Sequence, residues 1–120
     1  MFDWNEYLVL AERLARDQPN EAMLRSAISR AYYAVYHRAS QYIRSKSLVL
    51  PSQRLDHKIV WRTIKSGSDL RRQDVGNRGD ALKQKRVKAD YYGVFQGDLP
   101  RSTQDALLEA QELLDLIDKL

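Results

Sequence analysis

Apolar side chains recur every third or fourth residue through one long stretch of the chain, and this spacing constrains the fold more than any other feature. When each residue advances by about 100°, as in an α-helix, six of them share one side: Leu24, Ile28, Ala31, Val35, Ala39 and Tyr42. The pattern predicts an amphipathic helix from about Glu21 to about Lys46, with Asn20 as its N-cap. We expect the apolar side to face the core of the protein.

The same spacing predicts a helix on either side of this long one. The first ends near Asp17, and Asp3 followed by Glu6 has the spacing of a capping box at its start. The third covers Leu55 to Lys65. Both segments repeat their apolar residues with helical rather than strand periodicity.

The second half of the chain predicts two more helices. One covers roughly residues 80–92, and the last begins at Ser102, which has capping-box spacing with Asp105. Residues 70–79 are polar, and two glycines weaken any helix there. No segment alternates as a strand does. The chain is therefore predicted to be a single all-α domain of residues 1–120, an up-and-down bundle of four to five helices.

Composition excludes several classes of protein and site. The chain contains no cysteine, so disulfides and thiolate metal sites are absent. No segment reaches the ~20 apolar residues that span a bilayer, and the N-terminus lacks the pattern of a signal peptide. Two histidines among scattered aspartates do not make a metal site. We expect a cytoplasmic protein that has no membrane association, no metal and no cofactor.

The charged residues are distributed unevenly along the chain. From Arg54 to Lys88 there are eleven Lys or Arg and four Asp, a balance of +7. From Ser102 to Leu120 there are five Asp or Glu and one Lys, a balance of −4. Such a basic segment indicates an anionic partner, or else it pairs with the acidic segment inside the fold. The sequence leaves both interpretations open.

A polar stripe lies opposite the apolar side of the long helix and carries the first candidate site. His37 follows Arg30 by two helical turns, with Tyr33 between them. A histidine can accept the proton of a 2′-hydroxyl, and an arginine can hold a phosphate in two-point contact. Arg30 and His37 are thus candidate catalytic residues of a metal-free ribonuclease. The alternative is a half-buried histidine that bonds Tyr33 or a backbone carbonyl.

A second candidate site lies near the end of the fourth predicted helix. Arg86 and Asp90 are four residues apart and can pair on one face. They are candidate catalytic residues, and a structural alternative is a network of Arg30, Asp90 and Tyr91 that locks the second helix to the fourth. His57 is expected only to start the third helix or to pack against it.

Basic and aromatic residues around Arg86 form a candidate binding surface for RNA or a nucleotide. Cations contact phosphates, and tyrosines can stack on bases. The alternatives are a solvated helix face for the cations and core packing for the aromatic residues. The candidate binding residues are Lys83, Lys85, Arg86, Lys88, Tyr91 and Tyr92.

Two segments resemble a known family. Residues 29–34 read Ser-Arg-Ala-Tyr-Tyr-Ala, and residues 86–91 read Arg-Val-Lys-Ala-Asp-Tyr. Their order is similar to that in a short bacterial and archaeal subgroup of the HEPN domain. This resemblance implies a helical bundle that is frequently a homodimer. It also implies a link to metal-free RNA cleavage and to a nucleotidyltransferase antitoxin.

The ribonucleases of that family carry a histidine shortly after the motif arginine. Here Val87 follows Arg86, and Asp90, Tyr91 and Tyr92 occupy the region of the histidine. The leading hypothesis is therefore a HEPN-like homodimer that binds RNA or a nucleotide, paired with a nucleotidyltransferase in a toxin–antitoxin system. The alternatives are a metal-independent endoribonuclease toxin and a non-catalytic protein whose basic and acidic faces assemble oligomers.

Overall fold

The computed structural model describes all residues, 1–120, and contains five α-helices and no strand. In chain order these are α1 (Asn5–Arg16), α2 (Glu21–Ser45), α3 (His57–Ile64), α4 (Leu70–Tyr91) and α5 (Leu99–Asp118). The all-α bundle predicted from the apolar spacing is confirmed. None of the five helices has a stretch apolar enough and long enough to cross a bilayer.

The long helix α2 is the centre of the bundle and packs against all four other helices. Five of its six predicted core residues are buried, and Tyr42 is partly exposed. Tyr32, Ala34, Tyr36 and Ile43 are buried as well, because neighbours cover α2 on more than one side. One hydrophobic core takes residues from all five helices.

Asn or Asp side chains accept a backbone N–H at the start of all five helices. Asn20, the predicted N-cap of α2, accepts a hydrogen bond from the backbone N–H of Met23 at 2.9 Å. Asp56 caps α3 in the same way, through the N–H of Ile59. The carboxylate of Asp3 accepts the N–H of Asn5 at the start of α1. These bonds satisfy amide groups that have no partner inside the helix.

The fourth helix is longer than predicted, because α4 runs without a break through residues 70–79. The prediction that Gly76 and Gly79 weaken the helix is wrong, and the packing of these glycines explains why the helix continues. A Cβ at Gly79 would lie 2.3 Å from the ring of Trp61, and one at Gly76 would lie 2.5 Å from Cβ of Lys65. The glycines therefore allow α4 to approach α3 closely, and this contact outweighs their low helix propensity.

The fifth helix begins earlier than predicted. Its N-cap is Asp98, whose carboxylate accepts the N–H of Arg101 at 3.2 Å, whereas Ser102 lies inside the helix. Pro100 is in the first turn, where a missing backbone N–H costs no helical hydrogen bond. The capping-box spacing of Ser102 and Asp105 was therefore misleading.

Candidate functional site

Arg86 is the most unusual charged residue of the chain, because its guanidinium is buried with little compensation. The residue is 6% exposed, and its Nη1 lies 3.4 Å from Oδ2 of Asp90. Its Nε is closed off from solvent and has no hydrogen-bond partner. A buried charge normally needs close partners to offset its desolvation. The surrounding protein therefore offsets the desolvation of Arg86 only in part.

Three tyrosine rings surround this guanidinium. The Cζ of Arg86 lies 5.4 Å from the ring centres of Tyr32 and Tyr33, and 5.8 Å from that of Tyr91. Such cation–π contacts stabilise a buried arginine only in part. Tyr91 is 73% exposed, whereas Tyr32 is fully buried.

The Arg86–Asp90 pair predicted from the i, i+4 spacing is present, and its carboxylate also ties α4 to α2. Oδ2 of Asp90 also accepts a hydrogen bond from the Ser29 hydroxyl at 3.1 Å. Arg25 strengthens the same junction by donating to the carbonyl oxygens of Ala89 and Tyr92 at the end of α4.

Arg30 does not take part in this junction, so the predicted network of Arg30, Asp90 and Tyr91 is wrong. The guanidinium of Arg30 lies 4.7 Å from the ring centre of Tyr7 and 5.2 Å from that of Tyr33. It therefore faces α1, because residues 29 and 30 differ by about 100° in direction around α2.

His57 lies beside Arg86 although the two are distant in sequence. The Tyr32 hydroxyl is 2.6 Å from Nδ1 of His57, and Trp61 donates its indole N–H to the same hydroxyl oxygen at 3.0 Å. Because an indole can only donate, the hydroxyl hydrogen is available to Nδ1. This arrangement favours the tautomer of His57 that carries its hydrogen on Nε2.

The surroundings keep His57 neutral and Tyr32 protonated. Burial, with the positive charges of Arg86 and Lys83, lowers the pKa of His57 below its ordinary value. Burial raises the pKa of Tyr32, so its hydroxyl remains a hydrogen-bond donor at neutral pH. Histidine is most useful as a proton acceptor when it is neutral.

His37 lies on the far side of the same aromatic cluster. Its ring stacks on Trp4 with 3.6 Å between centres, and burial lowers its pKa, with His57 and Arg30 acting in the same direction. The ring centre of Tyr33 lies 6.1 Å from that of His37 and 5.8 Å from that of His57. The rings of both histidines thus border Tyr33, which also contacts Arg86.

Sequence reasoning missed His57 as part of this site. Its spacing from Tyr32 and Arg86 has no helical regularity, because the three residues belong to α2, α3 and α4. The only local signal was its position at the start of a helix. The contact arises from packing, in which Trp61 and His57 both reach the Tyr32 hydroxyl.

The predicted binding residues divide between two faces of α4. Lys83, Arg86 and Tyr91 lie toward the aromatic cluster, whereas Lys85 lines a groove against α5 with Asp105 and Glu109. Residues two positions apart point about 200° from each other around the helix axis. Lys83 and Lys85 therefore lie on opposite faces of α4.

The two remaining predicted residues lie near the end of α4. Lys88 is exposed and forms no ion pair. Tyr92 is 48% exposed, and its carbonyl accepts from Arg25.

Part of the basic segment pairs with the acidic segment inside the fold, and part of it is free to meet an anionic partner. Arg78 pairs with Glu109 and Glu112 of the acidic helix α5. No other residue of the basic segment forms an ion pair with α5, and Lys58 and Arg62 pair with no carboxylate at all. Pairing with α5 therefore accounts for one cation, and Arg71, Lys83 and Arg86 pair with aspartates in or next to α4. The unpaired cations remain available to an anionic partner.

No three His, Asp or Glu side chains come close enough together to hold a metal ion. No protein-family model, curated protein or solved structure matches this chain.

Proposed function

We propose that this protein is a HEPN-like module that binds RNA or a nucleotide, with a phosphate held at Arg86. The observation that carries the proposal is the buried guanidinium of Arg86, which has one weak ion pair and an unpartnered Nε. Arginine binds phosphate oxygens through two parallel N–H donors. A phosphate would supply the negative charge that the surrounding tyrosine rings do not.

The neighbours of Arg86 suit the rest of a nucleotide. Tyr91 presents most of its ring to solvent, so an unpaired base can stack on it. Lys83 lies close enough to His57 to lower its pKa, which adds a second cation near the phosphate.

The two HEPN-like segments meet at this site, and that supports the proposed family. Ser29 and Tyr33 belong to the first segment, and Arg86, Asp90 and Tyr91 to the second. Ser29 bonds Asp90, and Arg86 lies against the ring of Tyr33. Residues that are about sixty positions apart thus share one site.

Binding of ATP and of a labelled RNA oligonucleotide tests this function. We expect Arg86→Gln to weaken both by at least tenfold, because a lost charged phosphate contact costs about 1.5–3 kcal/mol. Arg71→Gln, which removes an exposed arginine elsewhere on α4, is the matched control and should bind normally. Arg86→Lys keeps the charge and covers the case in which Arg86→Gln fails to fold. Unchanged binding by a folded Arg86→Gln variant contradicts the proposal.

A second candidate function is metal-independent cleavage of RNA, and the position of His57 favours it. Proton acceptance uses the other tautomer of His57, in which Nδ1 donates to the Tyr32 oxygen and Nε2 is free. Nε2 then accepts the proton of a 2′-hydroxyl, and the freed oxygen attacks phosphorus. The P–O5′ bond breaks, and the 5′-oxygen takes a proton from solvent. The products are a 2′,3′-cyclic phosphate and a 5′-hydroxyl. Arg86 stabilises the charge on the phosphorane. The sequence suggested two other bases. His37 lies farther around the aromatic cluster, and Asp90 is hydrogen-bonded to Ser29.

Cleavage of an RNA pool in EDTA tests this activity. We expect cleavage that His57→Gln and Arg86→Gln abolish, with His37→Gln and Asp90→Asn as comparisons. Because the pKa of His57 is below its ordinary value, cleavage should persist at pH 6, where an unperturbed histidine is largely protonated. Wild-type protein that is folded and binds RNA without cleaving it would leave binding as the function.

The resemblance also leads us to propose a cytoplasmic homodimer that is paired with a nucleotidyltransferase antitoxin. Support for a second copy comes from α1, where Val9 is 47% exposed and Leu10 is 42% exposed, next to Phe2 at 45%. Light scattering after size exclusion tests the dimer, with Leu10→Glu as the variant expected to be monomeric. Growth arrest on expression, relieved by a neighbouring nucleotidyltransferase gene, tests the pairing. A monomeric wild type contradicts the dimer.

A further inference from the structure

A second feature of the surface lies next to the Arg86 site and is not used by the proposal above. A groove of about 420 Å³ runs between α3 and α4. Its lining includes Lys58 and Arg62 from α3, Lys65 directly after that helix, and Asp80 and Lys83 from α4. Four cations therefore face one carboxylate across a single groove.

The cations of this groove have almost no partners within the chain. Lys83 lies 3.9 Å from Asp80, which is a weak contact in an exposed position. Lys58, Arg62 and Lys65 are exposed and form no ion pair. Like charges that are gathered in one groove repel each other, and a polyanion relieves this repulsion.

The close packing of α3 on α4 arranges these cations in a row. Gly76 and Gly79 allow α4 to approach Trp61, so the exposed edges of both helices border the groove. Along α3 the cations occupy positions i, i+4 and i+7 and span about 10 Å. The row therefore carries about one positive charge per helical turn.

The row leads directly to the Arg86 site. His57 immediately precedes Lys58, and Lys83, which lines the groove, lies three residues before Arg86 on α4 and so about one helical turn from it. An extended chain of phosphates can thus pass from Arg86 over Lys83 and along α3. A free nucleotide is too short to reach both ends.

We infer that the groove between α3 and α4 binds the backbone phosphates of a single-stranded polynucleotide whose neighbouring nucleotide occupies the Arg86 site. This inference rests on the proposed function and makes a polymer, not a free nucleotide, the ligand. A single strand fits because the groove offers one row of cations, and because stacking on Tyr91 requires an unpaired base. Because the groove contacts phosphates and not bases, it does not distinguish one base sequence from another.

Binding of a fluorescein-labelled 12-nucleotide oligouridylate to the full chain, measured by anisotropy at several salt concentrations, tests the inference. The variant Arg62→Gln/Lys65→Gln removes two groove cations. The matched control, Arg13→Gln/Arg16→Gln, removes two exposed cations from α1 and changes the net charge equally. For single strands the slope of log K against log salt is about −0.7 per phosphate neutralised. We expect the groove variant to lose about 1.4 from this slope and to bind at least fivefold more weakly.

Uridine monophosphate separates the failure of this inference from the failure of the proposed function. The groove variant should bind the mononucleotide as the wild type does, whereas Arg86→Gln should lose both ligands. If the groove variant equals the α1 control in affinity and in slope, the groove inference is overturned and the Arg86 site stands. If the wild type binds neither ligand, both proposals fail.

Three competitors identify the polyanion. Oligothymidylate of equal length distinguishes DNA from RNA, and competition by either strand supports a polynucleotide groove. Duplex RNA that competes better than the single strand overturns the inference. Polyglutamate that competes as well as oligouridylate also overturns it and identifies an acidic protein as the partner.

Discussion

The hydroxyl oxygen of Tyr32 lies 2.6 Å from Nδ1 of His57, and this contact joins α2 to α3 at the edge of the candidate site. The same oxygen accepts the indole N–H of Trp61, which is 1% exposed. One hydroxyl group therefore satisfies a buried donor and orients the half-buried His57. Both the stability of the bundle and the position of His57 depend on it.

Tyr32→Phe should destabilise the protein, because it leaves the buried Trp61 N–H without an acceptor. An unsatisfied buried donor costs about 1–3 kcal/mol, and we expect a loss in this range in urea unfolding. Tyr33→Phe is the control, since the Tyr33 hydroxyl forms no hydrogen bond and lies on the same surface. Equal stability of the two variants would show that the Tyr32 hydroxyl has no structural role.

Asp90→Ala should lower stability by weakening the junction of α2 and α4. The change leaves the buried Arg86 without its only carboxylate and the Ser29 hydroxyl without its acceptor. Removing one partner of a fully buried pair costs about 3–5 kcal/mol. Since the Asp90 side chain is 27% exposed and its contact is long, we expect about 1–2 kcal/mol. Asp105→Ala, at an exposed position without an ion pair, should change stability by less than about 0.5 kcal/mol.

Gly79→Ala should destabilise the fold even though alanine is the better helix former. The new Cβ would meet three ring atoms of Trp61 at 2.3–2.5 Å. Overpacking of this kind costs about 1–3 kcal/mol, and the gain in helix propensity is only about 1 kcal/mol. A calorimetric melt of Gly79→Ala beside Gly93→Ala, whose Cβ would meet open space, measures the difference. A higher melting temperature for Gly79→Ala would show that α3 moves aside freely.

Asp98→Ala should weaken the start of α5, whereas Ser102→Ala should not. Asp98 accepts the Arg101 N–H, and the loss of such a cap costs about 1 kcal/mol. Ser102 lies within the helix, where alanine has the higher helix propensity. Urea midpoints of the two variants decide between the caps. A larger loss of stability in Ser102→Ala than in Asp98→Ala would show that Ser102 is the N-cap of α5.

Stability should fall as the pH drops below the ordinary histidine pKa of about 6.5. Burial lowers the pKa of both His37 and His57 in the folded state, so the unfolded chain binds more protons there. This contribution is complete above pH 6.5 and is lost as the pH falls through the folded-state values. Urea midpoints at pH 7.5 and 5.5 measure it, and His37→Asn/His57→Asn should flatten the dependence. An identical slope in the double variant would assign the effect to other groups.

The local sequence determined the helices because helix formation depends on residues three and four positions apart. The apolar spacing identified α1, α2 and α3, and the polar Asn20 marked the start of α2. The pairing of Arg86 with Asp90 was predictable for the same reason, since both lie on one face of one helix. Where a local rule met a tertiary contact, as at Gly76 and Gly79, the packing of α4 on Trp61 prevailed.

Only the tertiary structure decided which residues meet at the candidate site. Tyr32, His57 and Arg86 come from three helices, and no spacing in the sequence relates them. Helix geometry placed Lys83 and Lys85 on different faces of α4, but only packing decided which face meets α3 and which meets α5. The physical reason is that periodicity specifies which side of a helix is apolar, whereas the choice of neighbour depends on how the side chains of all five helices fill one core.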